Sequence, residues 1–109
     1  MEINAQAAGK PLIPYWKKCV GAGRANEGLR ANWLEHLKQI VTECGFEYVR
    51  FHGLFHDDMF VCRRIQGKLV YNWQYIDELF DRLLDTGIRP FVEFGFCPID
   101  MTSNDATIF

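Results

Sequence analysis

Two short apolar segments of the sequence each carry one charged residue near their centre. Arg50 lies within residues 48–53, and Glu93 lies within residues 91–96. A charge inside an apolar strand is costly unless it is paired or lines a functional cavity. Because the two charges are opposite, we expect Arg50 and Glu93 to form a supporting ion pair close to a functional site.

A histidine and a glycine follow Arg50 at the end of its predicted strand. His52 and Gly53 would lie at the carboxyl end of that strand, where parallel α/β folds place their ligand sites. Gly53 would let a ligand approach the backbone, and the His52 imidazole could hydrogen-bond to a hydroxyl group. On these residues alone, a histidine that only packs against or caps the strand end is an equally good interpretation.

Two other motifs are weak indications of a cofactor. Gly21 and Gly23 begin a G-x-G-x-x-G pattern, but Asn26 stands where the third glycine is required, so we do not expect a nucleotide site. The histidines and aspartates of residues 52–58 lie in a predicted loop, which does not fix two imidazole rings on one face. We therefore expect neither a metal nor another cofactor.

Composition excludes several classes of partner. The chain has 109 residues, a net charge of −2 and no run of Lys or Arg, which argues against nucleic-acid and membrane-surface binding. No apolar run approaches the roughly 20 residues needed to span a bilayer. The first residues lack the basic start and apolar run of a signal peptide, so we expect a cytoplasmic location.

The four cysteines show no zinc-binding or redox spacing. They are Cys19, Cys44, Cys62 and Cys97, and no C-x-x-C pair occurs. We interpret them as unpaired thiols in a reducing compartment.

The first half of the chain predicts a strand and a helix after an irregular lead-in over residues 1–14. Residues 15–20 predict a first strand that runs into a glycine-rich turn. Residues 27–44 show the three- and four-residue apolar spacing of an amphipathic helix. We expect Asn26 to cap the start of this helix and Gly45 to end it.

The second half predicts a strand, a loop, a helix and a strand. The second strand covers residues 47–51, and a polar loop follows it. A second helix starts at Asn72, which serves as its N-cap, and ends at Gly87. The third strand covers residues 91–96, and the remainder to Phe109 is predicted to be loop.

The β-α-β-α-β order with short helix-to-strand links predicts parallel strands with crossover helices. Side chains alternate along a strand, so Val49 and Phe51 share one face while Arg50 and His52 share the other. If the apolar face meets the helices, the charged face is better placed inside a closed barrel than in an open sheet. The predicted class is therefore α/β, with residues 15–109 forming the first part of a (β/α)8 barrel.

Several motifs of the chain carry a family resemblance in their order and spacing. They are CVGAGR at 19–24, YVRFHGL at 48–54 with Asp57-Asp58, Tyr71-Asn72 with Tyr75-Ile76-Asp77, and RPFVEFGF at 89–96 with Pro98. Together they resemble the family 39 glycoside hydrolases, the β-xylosidases that are related to α-L-iduronidases. The resemblance implies a (β/α)8 barrel, retention of anomeric configuration, and xylosides or xylo-oligosaccharides as substrates.

The resemblance also implies roles for individual residues. His52 and Gly53 match residues that contact sugar hydroxyls in the −1 subsite, and Arg50 matches an arginine that supports the catalytic carboxylate from inside the barrel. Both catalytic carboxylates of the family come from later strands, the acid/base within an Asn-Glu-Pro motif. The only Asn-Glu here precedes a glycine at a helix start, and the resemblance does not make Glu93 catalytic. No residue of this chain is therefore assigned a catalytic role.

These features lead to one principal expectation and two alternatives. Since such a barrel takes about 250 residues, we expect the chain to be a truncated N-terminal part of a β-xylosidase-like enzyme. It would be inactive alone and prone to self-associate through unpaired strand edges. The alternatives are a non-catalytic half-barrel that binds carbohydrate or is completed by a partner chain, and an unrelated thiol- or metal-dependent βαβαβ fold.

Overall fold

The chain forms a mixed α/β fold, seen here in a computed structural model that describes residues 3–104. The two α-helices are α1 (Ala31–Cys44) and α2 (Gln74–Asp85). The five strands are β1 (Cys19–Arg24), β2 (Tyr48–His52), β3 (Cys62–Ile65), β4 (Lys68–Tyr71) and β5 (Arg89–Phe91). Residues 3–14 contain neither a helix nor a strand.

The main sheet has three parallel strands, as predicted. Its order is β1-β2-β5, so β2 is the central strand. The register pairs Val20 with Val49 and Arg50 with Phe91. Because α1 connects β1 to β2 and α2 precedes β5, the parallel arrangement with crossover helices is confirmed.

The first strand lies four residues later than predicted. Residues Tyr15–Lys18 form a 3₁₀ helix, and the strand continues through the glycines that the sequence indicated as a turn. At Gly23 a β-carbon would overlap Glu27 Oε2, so a larger residue would displace the end of the Glu27 side chain. A glycine in a strand often marks such a close approach rather than a turn.

The first helix begins later than predicted, and Asn26 is not its N-cap. Residues Ala25–Leu29 form a 3₁₀ turn, and Arg30 is extended before α1 begins. Gly28 weakens helix formation here, and a β-carbon on it would lie only 2.6 Å from Leu79 Cδ1 of α2. The predicted end is confirmed, since Gly45 has φ 70° and its N–H donates to Val41 O at 2.9 Å.

The predicted polar loop after β2 contains a β-hairpin that the sequence did not reveal. Strands β3 and β4 pair antiparallel, with Arg63 opposite Val70. Gln66 and Gly67 form the two-residue turn, and both have positive φ angles of 49° and 78°. Exposed charged residues break the apolar alternation on both strands, which explains why this segment resembled a loop.

The start of α2 and the length of β5 both differ from the prediction. Helix α2 begins at Gln74, although Asn72 Oδ1 still accepts a hydrogen bond from Gln74 N at 3.1 Å. Strand β5 ends at Phe91, and the chain then leaves the sheet, with Phe94 82% exposed. Within the described residues, β5 pairs only with β2, so nothing on its other side holds the following segment in the sheet.

The core lies between the main sheet and the two helices. On β2, Val49 and Phe51 are buried while Arg50 is exposed, which confirms the predicted division of faces. The side chains of Val92 and Phe94, within the segment predicted as the third strand, are exposed and do not enter this core. The largest fully buried side chains are Val49, Phe51, Met59, Cys62, Leu79, Leu83 and Ile88. Among residues 3–104, no helix has the length and apolarity to cross a membrane.

Candidate functional site

The candidate site lies at the carboxyl ends of β1 and β2. The register places Arg24 opposite His52 at this edge of the sheet. Gly53 follows with φ 71°, and its carbonyl accepts a hydrogen bond from His56 N at 3.2 Å. Few residues other than glycine adopt this backbone conformation. The conformation of the turn therefore accounts for a glycine at position 53. Contact of His52 and Gly53 with a ligand stays a prediction.

Arg50 and Glu93 form an ion pair beside His52. Their Nη2 and Oε2 atoms lie 2.6 Å apart, and the side chains are 56% and 29% exposed. A solvent-exposed pair of this kind contributes only about 0–1 kcal/mol to stability. Its main effect is to tie the segment after β5 to the central strand. The role of Arg50 in supporting a catalytic carboxylate stays a prediction.

A phenylalanine that the sequence did not single out separates the two imidazoles of the site. The ring centroids of His52 and Phe96 lie 5.3 Å apart, with 33° between their planes. His56 meets the same phenyl ring edge-on at 6.0 Å. Phe96 has φ 63°, a left-handed conformation that is unusual for a bulky residue.

A polar network surrounds His56 at the same edge of the sheet. Arg24 Nη2 lies 3.0 Å from both His56 Nδ1 and Asp58 Oδ2. The Arg24 N–H also donates to Glu27 at 3.2 Å. These residues come from two segments, 24–27 and 56–58, that lie far apart in the sequence, so sequence spacing gave no sign of the network. The only signal was the Asp57-Asp58 pair that follows His56.

Asp57 serves a structural purpose on the other side of this turn. Its carboxylate accepts a hydrogen bond from Ile99 N at 3.2 Å. The next residue, Asp100, accepts a hydrogen bond at its Oδ2 from Arg64 N at 2.7 Å. The segment after β5 is thus attached to the hairpin as well as to β2.

Within residues 3–104, no group of three His, Cys, Asp or Glu side chains is arranged to hold a metal ion.

An aromatic pocket of about 260 Å³ lies between the hairpin and the segment after β5. Two pairs of nearly parallel rings line it, Phe55 with Phe94 and Tyr71 with Trp73. Cys62 is buried at its wall, and this burial, together with the charge of Asp100, raises the pKa of the thiol. A buried thiol with a raised pKa is a poor nucleophile at neutral pH. All four cysteines are free thiols in the structure.

These features define an α/β protein with polar groups gathered at the carboxyl ends of parallel strands. The model of the glycosyl hydrolases family 39 matches residues 1–109. The chain belongs to this family, as the sequence motifs indicated.

Two sequence relatives support the assignment. The chain is 44% identical over 112 residues to a β-xylosidase of Geobacillus stearothermophilus, covering 98% of this chain and 22% of that protein. It is 44% identical over 96 residues to a β-xylosidase of Caldicellulosiruptor saccharolyticus, covering 87% of this chain and 20% of that protein. The chain therefore spans about a fifth of the length of these relatives.

Solved structures of family 39 enzymes support the same family assignment. A family 39 β-xylosidase from Caulobacter crescentus superimposes with a TM-score of 0.80 at 38% identity, covering 92% of this chain and 23% of that one. A family 39 enzyme from Xanthomonas axonopodis pv. citri gives a TM-score of 0.80 at 40% identity, covering 89% and 19% of the two chains.

Proposed function

We propose that this chain is part of a retaining glycoside hydrolase that acts on β-xylosides. The observation that carries the proposal is the 44% identity to two β-xylosidases, combined with His52 and Gly53 at the carboxyl end of the central strand. The TM-score of 0.80 to a family 39 β-xylosidase also supports a (β/α)8 barrel, of which residues 15–109 would form the first part.

The chemistry of the site suits recognition of a neutral sugar. The half-buried His52 imidazole can donate a hydrogen bond to a hydroxyl or accept one from it. Arg50 lies on the same face of β2 and is held by Glu93, which fixes the position of its positive charge. In this proposal His52 and Gly53 bind the xylose ring, and Arg50 with Glu93 forms the wall beside it.

Cleavage by a retaining enzyme requires more than this site supplies. Such an enzyme needs an acid/base and a nucleophilic carboxyl group about 5–5.5 Å apart. The sequence contains no Asn-Glu-Pro motif, and Glu93 is engaged by Arg50. We therefore propose that residues 1–109 bind part of the substrate and that the catalytic carboxylates lie outside them.

The binding role of His52 can be tested directly on this chain. Replacing it by alanine removes the imidazole while leaving the buried face of β2 intact, so His52→Ala should abolish binding of methyl β-xyloside. His36→Ala, on the exposed side of α1, is the matched control and should bind like the wild type. Isothermal titration calorimetry measures both affinities. Equal affinities for His52→Ala and the wild type would refute the assignment.

The proposed location of the catalytic carboxylates predicts that the purified chain is inactive. Incubation of residues 1–109 with p-nitrophenyl β-xyloside should release no p-nitrophenol above the buffer rate. The full-length β-xylosidase of Geobacillus stearothermophilus provides the positive control. Any measurable turnover by the purified chain would contradict this prediction, and its loss in Glu93→Gln would make Glu93 a catalytic group.

The alternative is a non-catalytic half-barrel that binds carbohydrate or is completed by a partner chain. In either case we expect the chain to self-associate through its strand edges. Within residues 3–104, β1 and β5 each pair on one side only, and Phe91 beside the open edge is 52% exposed. Free strand edges of this kind template further pairing. We expect multi-angle light scattering to show oligomers whose share rises with concentration. A monomer that persists at all concentrations would argue against association.

A further inference from the structure

Three rings form a continuous row at the candidate sugar site. Phe96 lies between His52 and His56, with centroid distances of 5.3 Å and 6.0 Å. The contact with His52 is tilted at 33°, whereas His56 meets the phenyl ring nearly at a right angle, at 75°. The orientation of His52 is thereby coupled to the position of one phenylalanine side chain.

The far end of this row is fixed by the polar network. His56 Nδ1 lies 3.0 Å from Arg24 Nη2 and 3.3 Å from Asp58 N. A guanidinium and a backbone N–H can only donate, so His56 Nδ1 is the acceptor in both contacts. His56 Nδ1 also lies 3.1 Å from Asp58 Oδ1. The Asp58 carboxylate thus lies against both the Arg24 guanidinium and the His56 ring.

The backbone of Phe96 has a strained conformation. Its φ of 63° is rare for a residue with a bulky side chain. The preceding residue, Gly95, could adopt such an angle freely, yet the positive φ falls on Phe96. Strained conformations of this kind persist only where the surroundings hold them, and they cluster at functional sites. Glu93, three residues earlier, is held by Arg50 and so anchors the same segment to β2.

We propose that Phe96 is a positioning residue, which holds the His52 imidazole in the orientation that binds a sugar hydroxyl. Arg24 and Asp58 contribute indirectly, because they fix the His56 ring against which Phe96 packs. This inference rests on the proposed binding of a xyloside by His52. It adds a residue that does not itself contact the sugar.

The test compares three substitutions in the full 109-residue chain. Phe96→Gly removes the ring and suits the positive φ, so the backbone is not disturbed by the change. Phe96→Tyr keeps the aromatic ring and should bind methyl β-xyloside as the wild type does. Phe94→Leu is the control from the same segment, since the Phe94 ring packs on Phe55 and not on either histidine.

Two measurements test whether Phe96 positions the His52 ring. The imidazole proton resonances of His52, recorded without sugar, should move in Phe96→Gly because the ring current of Phe96 is lost, and should stay near wild type in Phe94→Leu. The Kd for methyl β-xyloside should rise on the order of tenfold in Phe96→Gly, as expected when a binding group loses its alignment, and should return close to wild type in Phe96→Tyr.

The outcomes separate this inference from the proposed function. His52 resonances and Kd that are unchanged in Phe96→Gly would overturn the positioning role. A wild-type chain that binds no xyloside would contradict the proposed function, while the resonances would still decide whether Phe96 sets the His52 ring. If Phe96→Gly does not fold, nuclear Overhauser effects in the wild type provide the test. Their absence between the Phe96 and His52 rings would also overturn the inference.

Discussion

The arrangement of the site depends on the alternation of side chains along β2. This strand is central in the parallel sheet, so its apolar face must be covered by the helices. Burial of Val49 and Phe51 fixes the register, and a shift of one residue would expose both. The same constraint places Arg50 and His52 together on the opposite face. Packing of the core thus determines where the polar groups of the candidate site lie.

The other half of the site is held by side chains rather than by the sheet. Beyond β5 the described chain has no strand pairing, yet the segment is attached at several points. Glu93 binds Arg50, Phe96 packs on His52, and Asp100 accepts a hydrogen bond from Arg64 N. Most of these contacts are partly exposed and individually weak. Together they fix the position of this segment relative to β2 and the hairpin.

Sequence reasoning identified the features that follow from local rules. The face division of β2 follows from a period of two, and the end of α1 follows from the left-handed Gly45. The Arg50–Glu93 pair was foreseen because an isolated charge in an apolar segment needs a partner. The family itself was recognisable from its motifs, and the comparisons confirm it.

The features that sequence reasoning missed depend on contacts between distant segments. The hairpin was hidden because exposed charges replace the apolar alternation. Residues 21–24 belong to a strand because β1 pairs with β2, a distant segment. The strand predicted at 91–96 requires a neighbour that the described residues do not provide. Likewise, the network of Arg24, His56 and Asp58 joins two distant segments that no spacing rule connects.

The central claim is that the carboxyl end of β2 binds a xyloside. Backbone amide resonances recorded during a titration with methyl β-xyloside test it most directly. The account predicts that the largest shifts fall at His52 and Gly53, with smaller ones at Arg50 and Glu93. Shifts centred instead on the aromatic pocket around Trp73, or no shifts at saturating sugar, would contradict it.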